Sequence, residues 1–388
     1  MPEPPILQHA FRICFLCASV WAAAALPLWL LAYTGTFVVS AAYGDLIWHA
    51  HEMIYGYAAL VVCGFLFTAI PNWTGRLPVR GWPLLGLVLL WAAGRVAMLF
   101  ADVLGLGVTA AIDLSFLAAV LVTAAREIIA GQNWRNLRVL GLVLWLALAN
   151  AWFHIATSTG APTEPAMRAA VGALIVLIVL VGGRIVPSFT RNWLAKRPGE
   201  ELPSGFGPFD AVAIGAAVLA VAAWVIEPTG RLTALLAAVA SALLVVRLAR
   251  WRGWATWREP LLVILHVGYA FVPLGLGLLA AGAEWPDLVP VGAVMHAWTV
   301  GAVGIMTLAV MTRASLGHTG RQLTADPATL AIYAAILAAA IIRVAAPFGG
   351  ELYLSLLILS GAAWTAAFLG FAGAYGPILV APRLGSRS

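Results

Sequence analysis

The chain has 388 residues, of which 63% are hydrophobic and 10% charged, with a formal net charge of +6. That composition excludes a soluble globular domain, and the alternating strands of a membrane β-barrel are absent. The basic balance does not point to nucleic acid, because the Lys and Arg residues sit in alternate short loops, which is the pattern of a topology signal. Cys14, Cys17 and Cys63 all fall inside apolar runs, so no disulfide framework is expected.

Apolar runs long enough to cross a bilayer recur at 13–33, 46–70, 82–101, 104–125, 137–158, 167–189, 209–227, 231–250, 260–281, 288–312, 328–348 and 352–380. They predict an all-α polytopic membrane protein of about twelve transmembrane helices, forming a single integral membrane domain over residues 1–388. The first run is too long for the apolar core of a signal peptide and is expected to remain as a helix. The longest connection, Thr190 to Pro208, carries Arg191, Lys196, Arg197, Glu200 and Glu201 among Pro and Gly and reads as a solvated linker.

The two ends and the even-numbered loops hold nearly all the basic residues outside the runs, from Arg12, Arg76 and Arg80 through Arg313 and Arg321 to Arg383 and Arg387. The odd loops hold Arg168 and Arg231 but also Asp45, Asp102, Glu164, Glu227, Glu284, Asp287 and Glu351. The positive-inside rule therefore predicts that both termini are cytoplasmic.

Runs 2, 6 and 10 end alike, in Ile70-Pro71-Asn72-Trp73-Thr74-Gly75-Arg76, Val186-Pro187-Ser188-Phe189-Thr190-Arg191 and Val310-Met311-Thr312-Arg313. The spacing of four runs suggests three pseudo-repeated four-helix units, although so short a match also arises by chance.

Run 2 opens on Asp45-Leu46-Ile47-Trp48-His49-Ala50-His51-Glu52-Met53-Ile54-Tyr55. Ionisable groups inside lipid are costly and usually functional. Helix rise puts His49, His51, His154 and His296 roughly 5–13 Å to the outer side of the midplane, with Arg95 and Arg343 at about the same level. His266 falls toward the inner side of run 9, and His318 in the loop after run 10.

A single intramembrane histidine is ordinarily a hydrogen-bonded packing residue. Four in one layer, from runs 2, 5 and 10, suit a metal: imidazole binds iron, copper and zinc, and haem iron takes axial histidine. Arg95 and Arg343 could pair with haem propionates or with nearby carboxylates. No Cys-x-x-Cys-His is present, so any haem would be b-type and non-covalent.

At 100° per residue His49 and His51 point to opposite sides of run 2, so the two are expected to serve different centres. His51, the deeper, is expected to ligate haem, with His296 as its counterpart or the ligand of a second haem. His49, beside Asp45 and Met53, suits copper or an outer haem with His154. The candidate metal ligands are thus His49, His51, His154, His266, His296 and His318. Glu52 and Asp113 either relay protons or pair with Arg or His. Cys14 and Cys17 either hold Cu(I) or are two buried small residues. No catalytic residue can be named.

The stretches His49 to Tyr57, Pro71 to Arg76, Gly183-Arg184-Ile185-Val186-Pro187 and His296 to Arg321 resemble the NnrS family of bacterial inner-membrane proteins, and the resemblance extends over nearly the whole chain. It implies a twelve-span protein containing haem and copper, linked to nitric oxide metabolism, denitrification and resistance to nitrosative stress. A looser likeness is to the catalytic subunit of haem–copper oxidases and nitric oxide reductases, which also place histidines on spans 2 and 10. Here run 6 has no histidine and run 7 lacks a histidine pair, so a copper site of that type is not expected.

The leading expectation is a haem and copper protein of the inner membrane that handles nitric oxide, either as an oxidoreductase or as a sensor, scavenger or metal-protecting factor. The alternatives are a transporter of a metal or anion, and a haem or copper delivery factor. Lipid and nitric oxide or a related small ligand are the expected partners.

Overall fold

Water is absent from the bilayer interior, so a chain this apolar must satisfy its backbone within helices. In the computed structural model, which describes residues 3–385, no strand occurs among the described residues. Arg387 lies outside them. Twelve helices are long and apolar enough to cross a membrane: α1 Ala10–Tyr33, α2 Asp45–Thr74, α3 Gly81–Leu99, α4 Leu106–Ala130, α5 Trp134–Thr159, α6 Glu164–Leu194, α7 Pro208–Ile226, α8 Arg231–Ala249, α9 Pro260–Glu284, α10 Val291–His318, α11 Pro327–Phe348 and α12 Gly350–Val380. Each expected run corresponds to one of these helices, with ends that differ by up to several residues in either direction.

The ends follow local chemistry. Pro208, Pro260 and Pro327 occupy first-turn positions, where a missing N–H costs nothing. Asp326 accepts from the Thr329 backbone N–H at 2.8 Å and caps α11; this hydrogen bond and that from the Thr329 hydroxyl hold its carboxyl below the usual range. Gly75 and Gly160 close α2 and α5 in the left-handed conformation, at φ 69° and 70°.

The chain divides into two compact units, one of residues 1–170, 311–322 and 365–388, the other of residues 171–310 and 323–364. Three of the four boundaries fall inside α6, α10 and α12, and the fourth in the loop after α10. The most enclosed helices are α2 and α6, with 72% of their apolar windows buried, followed by α9 and α10 at 67%, against 28% for α8.

Three helices contain a π-helical stretch among the described residues. α2 is π-helical over Glu52–Ala58, α6 over Ile178–Gly182 and α10 over Ala297–Gly304. These are the three helices, four apart, whose ends looked alike in sequence. A π stretch displaces carbonyls from the regular ladder, and each stretch has carbonyls served by side chains. The Trp91 indole N–H donates to Gly56 O at 2.7 Å. Arg247 donates to Val179 O at 3.1 Å. The Thr307 hydroxyl reaches Val303 O at 2.7 Å and Gly304 O at 2.9 Å. Gly56 is required at its position: a Cβ there would lie 2.4 Å from Trp21 Nε1 and 2.7 Å from Glu52 Oε2.

Candidate metal centre

The polar residues at the start of α2 converge with α3, α4 and α5 inside the first unit. His51 is fully buried. Its Nδ1 faces Glu52 Oε1 at 3.1 Å, and its Nε2 faces Asn150 Oδ1 at 3.1 Å and Asp113 Oδ2 at 3.3 Å. His154 presents Nε2 to the same Asp113 Oδ2 at 3.2 Å, while its Nδ1 meets the Tyr43 hydroxyl at 3.0 Å. Arg95 donates to Glu52 Oε1 at 2.6 Å and to Asp113 Oδ1. Asn150 donates to Asp113 Oδ2 at 2.7 Å.

Spacing explains the convergence. Asn150 and His154 are one turn apart on α5 and share a face. Asp113 lies across from Gly94, where a Cβ would sit 3.0 Å from Asp113 Oδ1. The glycine lets α3 and α4 approach closely enough for the adjacent Arg95 to bridge two carboxylates.

One ligand atom from each of His51, Asp113 and His154 lies within 4.8 Å of the others, in a group able to hold a metal ion. Two imidazoles and a carboxylate form a ligand set suited to a first-row transition metal. The far side of each ligand is also held: His51 by Glu52, His154 by Tyr43, Asp113 by Arg95. Such outer partners fix ring orientation and basicity at metal sites.

The hydrogen-bond inventory sharpens the case. Glu52 Oε1 accepts from Arg95, so the proton in its contact with His51 lies on Nδ1. His51 Nε2 then faces two oxygens. Unless a positive species lies there, its lone pair opposes theirs. Glu52, Asp113 and Arg95 together leave one negative charge, which is expensive at this depth. A proton on Nε2 or a bound cation relieves both problems. Tyr43 lies just before α2; burial, followed by the charges of Asp113 and Glu52, holds its phenol above the usual range. It stays protonated, yet its oxygen can still accept from His154 Nδ1 when Nε2 is engaged by a metal.

The other expected residues are elsewhere. His49, on the opposite side of α2, stacks on Trp29 of α1 with ring centroids 3.9 Å apart. The π stretch begins only after His51, so the two-sided geometry of the pair is retained. His296 and Arg343 belong to the second unit, where the His296 Nδ1 donates to Gly292 O at 2.7 Å. His266, also in that unit, has Nε2 2.8 Å from the Thr190 hydroxyl and a buried Nδ1 lacking a hydrogen-bond partner. His318 lies against Phe11, 5.4 Å between centroids. Arg95 pairs with Glu52 and Asp113. The Cys14 thiol lies within hydrogen-bond reach of Cys63, from α2, and all three cysteines are free.

Sequence reasoning missed Asn150 and Tyr43. An asparagine one turn before an intramembrane histidine is a usable signal for the first. Tyr43 lies in a loop and carries none.

The chain matches the family model described as NnrS protein over residues 5–383. It belongs to the NnrS family. A search of curated proteins finds no match. The match includes both the first-unit cluster and the His296 region.

Proposed function

We propose that this is a haem- and copper-containing protein of the bacterial inner membrane, with both termini in the cytoplasm, acting in nitric oxide metabolism and resistance to nitrosative stress. Family membership supports the membrane architecture and metal or haem binding, and loop charge supports the orientation. The observation that carries the metal reading is the His51–Asp113–His154 group with all three ligands braced from behind.

The two cofactors fit different places. His51 is enclosed on both ring nitrogens, so an axial haem bond there would require displacing Asn150 and Asp113. The group suits a single ion, and one added positive charge neutralises it, as a cuprous ion would. His296 suits haem. Its Nδ1 proton is committed to the Gly292 carbonyl, which leaves Nε2 with the lone pair that a ligand needs. It is half-buried and within the electrostatic reach of Arg343, a partner for a propionate. We therefore assign copper to His51, Asp113 and His154 and haem to His296, which moves His51 from the haem expected for it to copper and leaves His296 with haem.

A ferrous haem with an open position binds nitric oxide, and copper supplies a one-electron partner. The chain's own contribution is to orient: Glu52 and Tyr43 set the two imidazoles, Arg95 holds Asp113, and the surrounding helices exclude water. An optical spectrum with metal analysis of purified protein tests the cofactors, and steady-state nitric oxide consumption tests turnover. A Soret band with about one copper per chain supports the proposal. Protein free of both would favour a transporter.

A further inference from the structure

At the end of the first unit where α1 begins and α12 ends, Arg12 is 1% exposed although it lies in the first turn of α1. Its Nη1 donates to two backbone carbonyls at the end of α12, Leu379 O and Ala381 O, both at 2.7 Å. Among the described residues no carboxylate is its partner, and its buried Nε has no hydrogen-bond partner. Arg12 lies within the electrostatic reach of Arg321, which follows α10. Arg321 likewise has a buried Nη1 without a partner.

The segment after α12 is fastened beside them, with Leu384 N donating to Thr319 O at 3.0 Å. It brings Arg383 to His9 and His318. Burial, then the charges of Arg12, His318, Arg383 and Arg80, holds the His9 imidazole below its usual range. Among the described residues the acid near His9, Glu3, is paired with Arg80 at 3.6 Å.

A basic membrane face is ordinary topology when its charges are solvated. Here two guanidiniums of like charge sit near one another with buried N–H groups unused. Arg12 and Arg321 bring two positive charges. The carbonyl end of α12 offsets about half of one, leaving about one and a half. A carboxylate balances one. A phosphate group carries roughly 1.5–2 negative charges and offers several acceptors to planar guanidinium forks.

We propose that Arg12 and Arg321 form a site for a phosphate-bearing anion, with Arg383 and the two histidines at its open rim. The phosphate belongs either to an anionic phospholipid headgroup or to a soluble phosphate compound. Arg12 also caps α12, so Arg321→Gln is the informative variant, with Arg258→Gln, an exposed arginine of the second unit, as control. The unfolding temperature of detergent-purified protein would be followed during titration with inorganic phosphate. In parallel, protein in neutral-lipid nanodiscs with and without phosphatidylglycerol would be examined by native mass spectrometry for retained lipid.

Saturable binding of either probe, weakened at least about tenfold by Arg321→Gln and unchanged by Arg258→Gln, supports the site. Stabilisation by phosphate alone assigns a soluble ligand, and lipid retention alone assigns a headgroup. Binding of neither probe, or equal binding by the Arg321→Gln protein, overturns the proposal.

Discussion

α2 and α10 use one backbone device in two chemical settings. In each, a histidine immediately precedes a π stretch: His51 before Glu52–Ala58, and His296 before Ala297–Gly304. Around His51 stand two carboxylates, a guanidinium, an amide and a second imidazole, and both ring nitrogens are engaged. Around His296 one nitrogen is fixed by a carbonyl a turn away, and no hydrogen bond reaches the other among the described residues. The backbone positions the ring, while neighbouring helices decide what the ring can bind. On the proposed reading the polar enclosure around His51 suits a small cation, and the His296 ring, within the electrostatic reach of Arg343, suits haem.

The comparison breaks most readily at Asp113, which joins Arg95, His51, His154 and Asn150. Asp113→Asn removes a ligand and leaves buried positive charge short of a partner. Loss of one member of a buried ion pair costs about 3–5 kcal/mol. The expected outcome is a markedly lower unfolding temperature in detergent and loss of copper. No change in metal content would sink the His51–Asp113–His154 centre.

Next in size is the separation of the two histidines. His51→Ala should abolish most of the copper and retain the Soret band, whereas His296→Ala should do the reverse. Absorption spectra and metal analysis of the two variants provide the check. Loss of the same cofactor from both would erase the distinction between α2 and α10.

How far these settings were legible in sequence differs between them. All twelve helices were readable because lipid imposes length and apolarity on each. His51, His154, Arg95 and Asp113 could each be singled out as polar groups in apolar runs. Their convergence could not be read, since helix rise gives depth but not azimuth. Depth placed His296 level with His51, yet their immediate partners come from different helices in different units. The π stretches were also hidden: residues such as Met53-Ile54-Tyr55 favour neither helix type, and the geometry is stabilised by Trp91, 35 residues away from Gly56.

A finer probe is Tyr43, the partner of His154 Nδ1. Tyr43→Phe keeps the ring and its stacking on Phe153, 5.7 Å between centroids, but removes the hydroxyl. Losing an outer partner of a metal-binding histidine typically lowers affinity about 10–100-fold. Copper competition with a chelator should show that loss with an unchanged haem spectrum. Wild-type affinity would mean that Tyr43 serves packing alone.

The smallest expected difference lies in the π stretches themselves. In α2, Gly56 O depends on Trp91, a side chain from another helix. In α10, Val303 O and Gly304 O share the hydroxyl of Thr307 on the same helix, one turn on. Trp91→Phe leaves a buried carbonyl without its donor, at about 1–3 kcal/mol, and loosens the attachment of α3, whose Arg95 holds Glu52 and Asp113. Thr307→Val removes a bond that leaves the approach of neighbouring helices intact, at about 1 kcal/mol. Both variants should fold, and thermal unfolding should rank Trp91→Phe as the more damaging. Copper affinity should fall in Trp91→Phe, because the error is passed from Gly56 through α3 to Asp113. Thr307→Val should leave copper unchanged. The opposite ranking would show that the π stretch of α2 maintains itself, and that the metal centre is held by its own ion pairs rather than by the bracing of the helix beneath it.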